Sequence, residues 1–299
     1  MHAAHVSLSV VIAAWNGSSS LQECLTSLQK QLEPGDEIIV VSNFEPQLIE
    51  GPLQELRSVV FVNMPKETDV PKLRARGIEL ARGDVVALLE DHCTANLQWV
   101  TEIKKAHASS HPVVGGSVEN QSSTSSLSWA VYFYDYGKYM LPDAARNVTA
   151  LSGINVSYKR EILQEVRHQY VDGFHETFIN QELQKRGYDL YLAPSAIIYH
   201  NKAYRLKGAI IDSYHHGRLF ASRRVANVRF AMRAFRGLLS AVLPVLLPGR
   251  IVLRTVGKKR HLSELFICFP YLFLLTTAWS YGEFCGYFAG EGGSAGKWK

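Results

Sequence analysis

LRARGIELARGDVVALLEDHCTANLQWV, Leu73 to Val100, packs a helix, a stop, a buried strand and an acid–imidazole triplet into one short run. Lys72 to Ala81 reads as a helix ended by Gly83, and Val85 to Leu89 (VVALL) as a strand buried on both faces. Glu90-Asp91-His92 follows the strand directly. The same grammar holds upstream. Leu8 to Ala14 (LSVVIAA) is a second such strand, and the polar turn Asn16 to Ser20 leads into a helix carrying Leu21, Cys24, Leu25 and Leu28. Pro34-Gly35 stops that helix, Glu37 to Val41 and Val59 to Val62 supply two more strands, and the alternation implies a parallel sheet wound with helices on both faces. Ligands in such sheets sit at the carboxyl ends of strands, so Ala14, Asn16, Ser42 and the triplet are the residues to inspect.

A carboxylate-rich triplet at a strand end suits a hard or borderline cation, Mg²⁺ or Mn²⁺, and Mn²⁺ tolerates an imidazole better. Such a cation can neutralise a leaving diphosphate. Zinc is disfavoured, because Cys24, Cys93, Cys268 and Cys285 are scattered without Cys-x-x-Cys spacing. They read as reduced thiols. Asn147-Val148-Thr149 and Asn155-Val156-Ser157 match the glycosylation acceptor pattern by coincidence, since no secretory signal accompanies them.

Further along, Val156 to Tyr158 and Tyr191 to Ala193 read as short strands, with a helix over Phe178 to Lys185. Asn120 to Ser128 (NQSSTSSLS) is too polar for a core and reads as a mobile loop. Trp129, Tyr132, Phe133, Tyr134 and Tyr136 form an aromatic cluster that packs in a core or stacks on sugar or lipid.

Five blocks in order, from about Ser9 to His200, resemble family 2 glycosyltransferases of the GT-A fold. SVVIAAWNGSSSLQECLTSLQKQ is similar to the family's opening strand and helix, DEIIVVSN to its second strand, and the Leu73–Val100 run to its Arg-helix, strand and D-x-D block. LSGINVSYKREIL resembles the Gly-x-Asn block, and GFHETFINQELQKRGYDLYLAPSAIIYH the block that carries the base and ends in histidine. The resemblance implies an inverting transferase using a nucleotide-diphosphate sugar, UDP- or GDP-linked. It implies donor contacts from Ala14, Asn16, Ser42, Arg74 and Asp91, with Arg74 facing the nucleotide and Asp91 the ribose. It implies a metal held by Glu90, His92 and His200, and Glu176 as general base. Ser42 stands where the family usually has an Asp that reads the nucleobase, His175-Glu176 replaces an acidic pair, and Glu90 and His92 replace aspartates.

Composition fits a folded chain, with 47% apolar and 20% charged residues. The overall charge of +5 hides an asymmetry: from Asn201 to His261 fourteen Lys and Arg face one acid, Asp212, a net +13. Leu206 to Phe235 is a basic helical stretch. Two apolar pieces follow, Leu238 to Leu247 and Leu265 to Tyr281, the second interrupted by Pro270. Basic residues running into apolar ones point to anionic lipid on the cytoplasmic face of a membrane, and the motifs of nucleic-acid binding are missing. Arg218 is open to two roles, a clamp on the donor diphosphate or a lipid contact. The expected layout is a GT-A domain over 1–203 and a membrane-associated helical region over 204–299, with a glycan or lipid-linked acceptor. The alternative is a nucleotide-sugar-binding scaffold that has lost catalysis.

Overall fold

A computed structural model describes residues 6–45, 59–121, 125–225 and 228–297. The opening strands form where expected: β1 (Leu8–Ala14), β2 (Glu37–Ser42), β3 (Val59–Asn63) and β4 (Val85–Glu90). They lie side by side and parallel in the order β3-β2-β1-β4. The order turns at β1, which leaves a crevice between the carboxyl ends of β1 and β4. Every residue of β1 and β4 is buried, the pattern of strands covered on both faces.

Beyond β4 the same sheet becomes mixed. It continues through β8 (Val156–Lys159), β6 (Val113–Asn120), β9 (Leu190–His200) and β5 (Cys93–Ala95), and β7 (Arg146–Val148) also pairs with β9. The expected strand at Tyr191 to Ala193 lies near the start of the eleven-residue β9. β6 escaped the pattern because Gly115 and Gly116 break its β-rich signal. A Cβ at Gly116 would lie 1.8 Å from Ala196 O, so only glycine lets β6 and the β9 backbone approach this closely.

Helices α1 (Ser18–Gln29), α2 (Val70–Leu80) and α3 (Trp99–Ala108) cover the sheet. α1 buries the four residues expected of it, Leu21, Cys24, Leu25 and Leu28. α2 starts two residues before the expected Lys72, because the Asp69 carboxylate accepts the Lys72 N–H and Pro71 fits the first turn. Later come α5 (Arg160–Glu165) and α6 (Glu176–Lys185).

Readings in two regions need correcting. The Ser-rich stretch is not one loop: Asn120 ends β6, residues 122–124 lie outside the described residues, and Ser126 opens α4 (Ser126–Val131), capped by the Ser125 hydroxyl. Ser and Thr rarely fill a core, yet they make good helix caps. In the tail, the basic stretch breaks into α7 (Leu206–Arg224) and α8 (Phe230–Ser240), and Leu238 to Leu247 divides between α8 and α9 (Leu243–Lys258). Pro270 does not interrupt its helix. α10 runs unbroken from Leu262 to Ala289.

By internal packing the chain forms two units, one of 1–121 with 139–201, the other of 122–138 with 202–299. Residues 125–138 group with the helices after residue 202. The reason is that α4 and the π-helical turn after it (Tyr132–Tyr136) pack on α10. In this second unit α7 crosses α10 closely: a Cβ at Gly282 would lie 2.1 Å from Tyr214 O, and one at Gly217 2.3 Å from Trp279 O.

Candidate active site

The triplet sits at the carboxyl end of β4, and each member has a different partner. Asp91 is fully buried, and its carboxylate accepts the N–H groups of Trp15 (2.9 Å) and Asn16 (2.6 Å) and the Asn16 side-chain amide (2.6 Å). It therefore ties the loop after β1 to the end of β4. On the other side of β1, the Asn43 N–H donates to Ala14 O, and the Ser42 hydroxyl donates to Phe44 O. Ala14, Asn16, Ser42 and Asp91 thus frame the crevice that the strand order predicts.

His92 is buried, and its Nε2 has no hydrogen-bond partner. Its Nδ1 lies 3.1 Å from Asn16 Nδ2, 3.5 Å from Glu90 Oε2 and 3.7 Å from Asp91 Oδ1. The Asn16 side-chain NH2 can only donate, so His92 Nδ1 is the acceptor in that contact, and the ring nitrogen left without a partner is Nε2. The His200 ring stands edge-on to His92, centroids 4.9 Å apart, because Cys93 of β5 pairs with His200 of β9. Among the described residues no three His, Cys, Asp or Glu side chains form a ready ligand group. Glu90 and His92 fit Mg²⁺ or Mn²⁺ of the kind that takes one or two protein ligands and completes its shell with substrate phosphate and water.

Arg74 joins the remaining pieces. It is buried on the inner face of α2, and its fork donates to Glu90 Oε1 (2.5 Å) and to Glu176 Oε2 (3.0 Å). α2 reaches the sheet this closely because Gly77 adds no side chain where a Cβ would meet Val11. Glu176 opens α6, where the helix dipole favours a carboxylate. Its side chain lies flat on Gly153, where a Cβ would come within 2.5 Å of the Glu176 carboxyl carbon. Oε1 of Glu176 accepts no hydrogen bond among the described residues. Beneath it, the Tyr158 hydroxyl donates to Asn180 Oδ1. Burial, reinforced by the Glu176 charge, pushes the Tyr158 phenol well above its usual range, so Tyr158 stays neutral.

Two residues of the Gly-x-Asn block support the site in ways the sequence did not assign. One is Gly153. The other is Asn155, fully buried, whose side chain accepts from Trp99 Nε1 and donates to Ser117 O and Ala196 O, tying β6, β9 and α3 together. Arg218 belongs to the helical unit, where its Nε donates to Gly290 O and its Nη1 to the Tyr214 hydroxyl.

A separate groove of about 820 Å³ opens between α1 and the β5–β9 ribbon, lined by Gln22, Thr26, Thr94, Gln121, Tyr199 and Asn201 among others. Thr94 pairs with Tyr199 while the neighbouring Cys93 pairs with His200, so strand alternation sets this groove on the ribbon face opposite His200.

The sequence model described as glycosyl transferase family 2 matches residues 9–167, more than half of the chain. A glucosyl-dolichyl phosphate glucuronosyltransferase of Haloferax volcanii is 26% identical over 175 residues, 53% of this chain and 54% of that protein. The chain thus aligns with about half the length of that relative.

Proposed function

Since the chain belongs to glycosyl transferase family 2 and has its GT-A fold, we propose that it moves a sugar from a UDP- or GDP-linked donor to a hydroxyl of a lipid-linked glycan. The observation that carries this reading is the Arg74 fork, which brings Glu90 of the triplet and Glu176 together across a sequence separation of more than eighty residues. Glu176 is the base: its open Oε1 takes the proton of the acceptor hydroxyl as that oxygen attacks the anomeric carbon. The bond from that carbon to the diphosphate oxygen breaks in the same displacement, so the configuration inverts. Arg74 and Gly153 hold the Glu176 carboxylate in position. Ala14, Asn16, Ser42 and Asp91 surround the nucleotide, with Asp91 also fixing the loop it binds. Glu90, His92 and His200 would hold Mn²⁺ or Mg²⁺, which supplies positive charge for the departing diphosphate.

The lipid-linked acceptor draws support from the relative's name, which includes dolichyl phosphate, and from the apolar α10 of this chain. Both fit a protein held at the cytoplasmic face of a membrane. For Arg218, the observed hydrogen bonds favour a clasp on the C-terminal segment over the diphosphate contact expected from sequence.

The test is a panel of UDP- and GDP-sugars with the full chain in detergent, read by donor hydrolysis and by thermal shift, with Mn²⁺, Mg²⁺, Ca²⁺ or chelator. We expect one nucleotide class to stabilise the protein and Mn²⁺ to support turnover better than Ca²⁺. His92→Ala should weaken metal-dependent donor binding by about tenfold. Turnover undiminished in excess chelator would remove the metal from the reading. Donor binding with neither hydrolysis nor transfer would favour the non-catalytic scaffold.

A further inference from the structure

We propose that α10 does not cross the membrane but lies in its plane, so that the helical unit embeds one apolar face in a single anionic leaflet. This rests on the membrane-facing reading above and decides what the sequence leaves open, whether the tail spans the bilayer or sits in it.

By length and composition α10 qualifies as a span: twenty-eight residues make about 42 Å of helix, against a hydrocarbon core of roughly 30 Å. Its neighbours argue otherwise. α10 has two faces, each running its whole length. One is buried, through Leu265, Cys268, Leu272, Thr276, Glu283 and Tyr287. The covering layer on that side begins at the first turn of α10 and mixes aromatic side chains with polar and charged ones. Trp129 of α4 meets His261 at the N-terminal end, ring centroids 4.6 Å apart, and Tyr134 of the π-helical turn meets Trp279 two-thirds of the way along. α7 takes over from there, with Arg224 on Glu283 and Arg218 on Gly290. α7 also carries Asp212, His215, His216 and Arg223.

A crossing helix would carry one end of α10, with the side chains packed on it, to the far side of the bilayer.

The other face of α10 is exposed and apolar from end to end, through Phe266, Phe273, Tyr281, Phe284 and Phe288. α8 and α9 add Phe230, Leu238, Val245 and Leu253, also exposed. These two helices are bent by 60° at their junction. Each arm alone is about 17–24 Å long, too short to span. Arg229 and Arg236 at and in α8, and Lys258, Lys259 and Arg260 between α9 and α10, border these apolar helices in sequence with positive charge. An apolar face flanked by cations is the chemistry of an anionic lipid interface, which α10 would enter by roughly 5–10 Å.

The experiment uses the full chain carrying Cys285→Ser, bound to phosphatidylglycerol–phosphatidylethanolamine vesicles. Nitroxide labels are attached at Phe266→Cys, Phe273→Cys and Phe284→Cys, one per sample, and a membrane-impermeant maleimide probes Ser263→Cys and Ala289→Cys at the two ends. Lys105→Cys, exposed on the sheet unit, marks the aqueous side. We expect all three nitroxides at the same shallow depth, and Ser263→Cys and Ala289→Cys labelled from the side that labels Lys105→Cys. Ends labelled from opposite sides, or a Phe273 nitroxide at the bilayer centre with its neighbours shallower, would overturn the in-plane arrangement while leaving the membrane reading intact. A chain that stays in solution without lipid or detergent sinks the membrane reading itself, and if it is then a stable dimer, the apolar face belongs to a second copy.

Discussion

Each unit of this chain has an arginine that pairs with glutamate, and the surroundings of the two differ. In the helical unit Glu283 is saturated: Arg224 and Trp279 Nε1 donate to one oxygen, and the Tyr287 hydroxyl to the other. Every donor comes from α7 or from the same face of α10, so the cluster locks two helices and leaves nothing over. In the sheet unit Arg74 faces two carboxylates, Glu90 and Glu176, from β4 and α6. Glu176 keeps an oxygen with no donor among the described residues, and His92, beside Glu90, has an Nε2 that is also without a partner. A fold that needed only stability would have satisfied those atoms. Saturation marks the structural pair, and open valence marks the candidate site.

The comparison breaks most visibly on turnover. Glu176→Gln keeps the shape and the Arg74 contact but cannot take a proton. We expect kcat to fall by about 10²–10⁴-fold with donor affinity within a few-fold, measured by steady-state kinetics and donor titration. Wild-type turnover in that variant would remove Glu176 from the chemistry. Glu283→Gln should leave kcat near wild type.

Stability separates the two arginines next. Arg74→Met leaves Glu90 and Glu176 facing each other in a buried site with no cation between them. Removing one partner of such a cluster costs about 3–5 kcal/mol, read from chemical unfolding of the full chain. Arg224→Met should cost less, about 1–2 kcal/mol, because the Arg224 side chain is 49% exposed and Glu283 retains Trp279 and Tyr287. Equal losses at the two positions would mean that both clusters are structural.

How far the sequence reaches can be judged on the same residues. The parallel half of the sheet and the position of the triplet follow from hydrophobic runs and their punctuation, because fully buried strands announce themselves in composition. Glu176 and Arg74 were legible only through block order, and their meeting on one guanidinium was not, since no local pattern encodes a contact between residues so far apart. β5 is three residues long and β6 holds two adjacent glycines, so neither carries a strand signal. The aromatic cluster at Trp129 to Tyr136 was visible, but its partner, α10, lies more than a hundred residues away.

Acid loads the sheet unit through His107, as it loads the helical unit through the buried His216, whose pKa burial also pulls down to about 4. His107 is buried in α3, with its ring nitrogens on Ser157 Oγ and His111 O, and burial pulls its pKa down to about 4 from the usual 6.5. Above pH 6.5 it is neutral whether folded or unfolded and has no effect on the balance. Between about pH 6.5 and 4 the unfolded chain takes up a proton that the folded chain refuses, so stability falls with pH, by about 3 kcal/mol at the lower end. Denaturant midpoints measured across that window should show the slope, and His107→Gln should flatten it. An unchanged slope would assign the acid sensitivity to other groups.

The smallest expected effect concerns Arg218, where the comparison is least obvious, since this arginine has been given a role in each region. Its Nε and Nη1 are bonded to Gly290 O and the Tyr214 hydroxyl, and a Cβ on Gly292 would lie 2.6 Å from its Nη2. The guanidinium is thus wrapped by the segment that ends α10, much as Glu283 is wrapped by its donors. Arg218→Lys preserves the charge but loses the planar fork that reaches two acceptors at once. If Arg218 is a clasp, the helical unit should lose about 1 kcal/mol while donor affinity stays within roughly twofold. If it clamps a diphosphate, the same variant should weaken donor binding by about tenfold with the melting temperature unchanged, because a point charge replaces a bidentate contact. Thermal melts and donor titrations on one preparation decide between them, and the saturated geometry favours the first result.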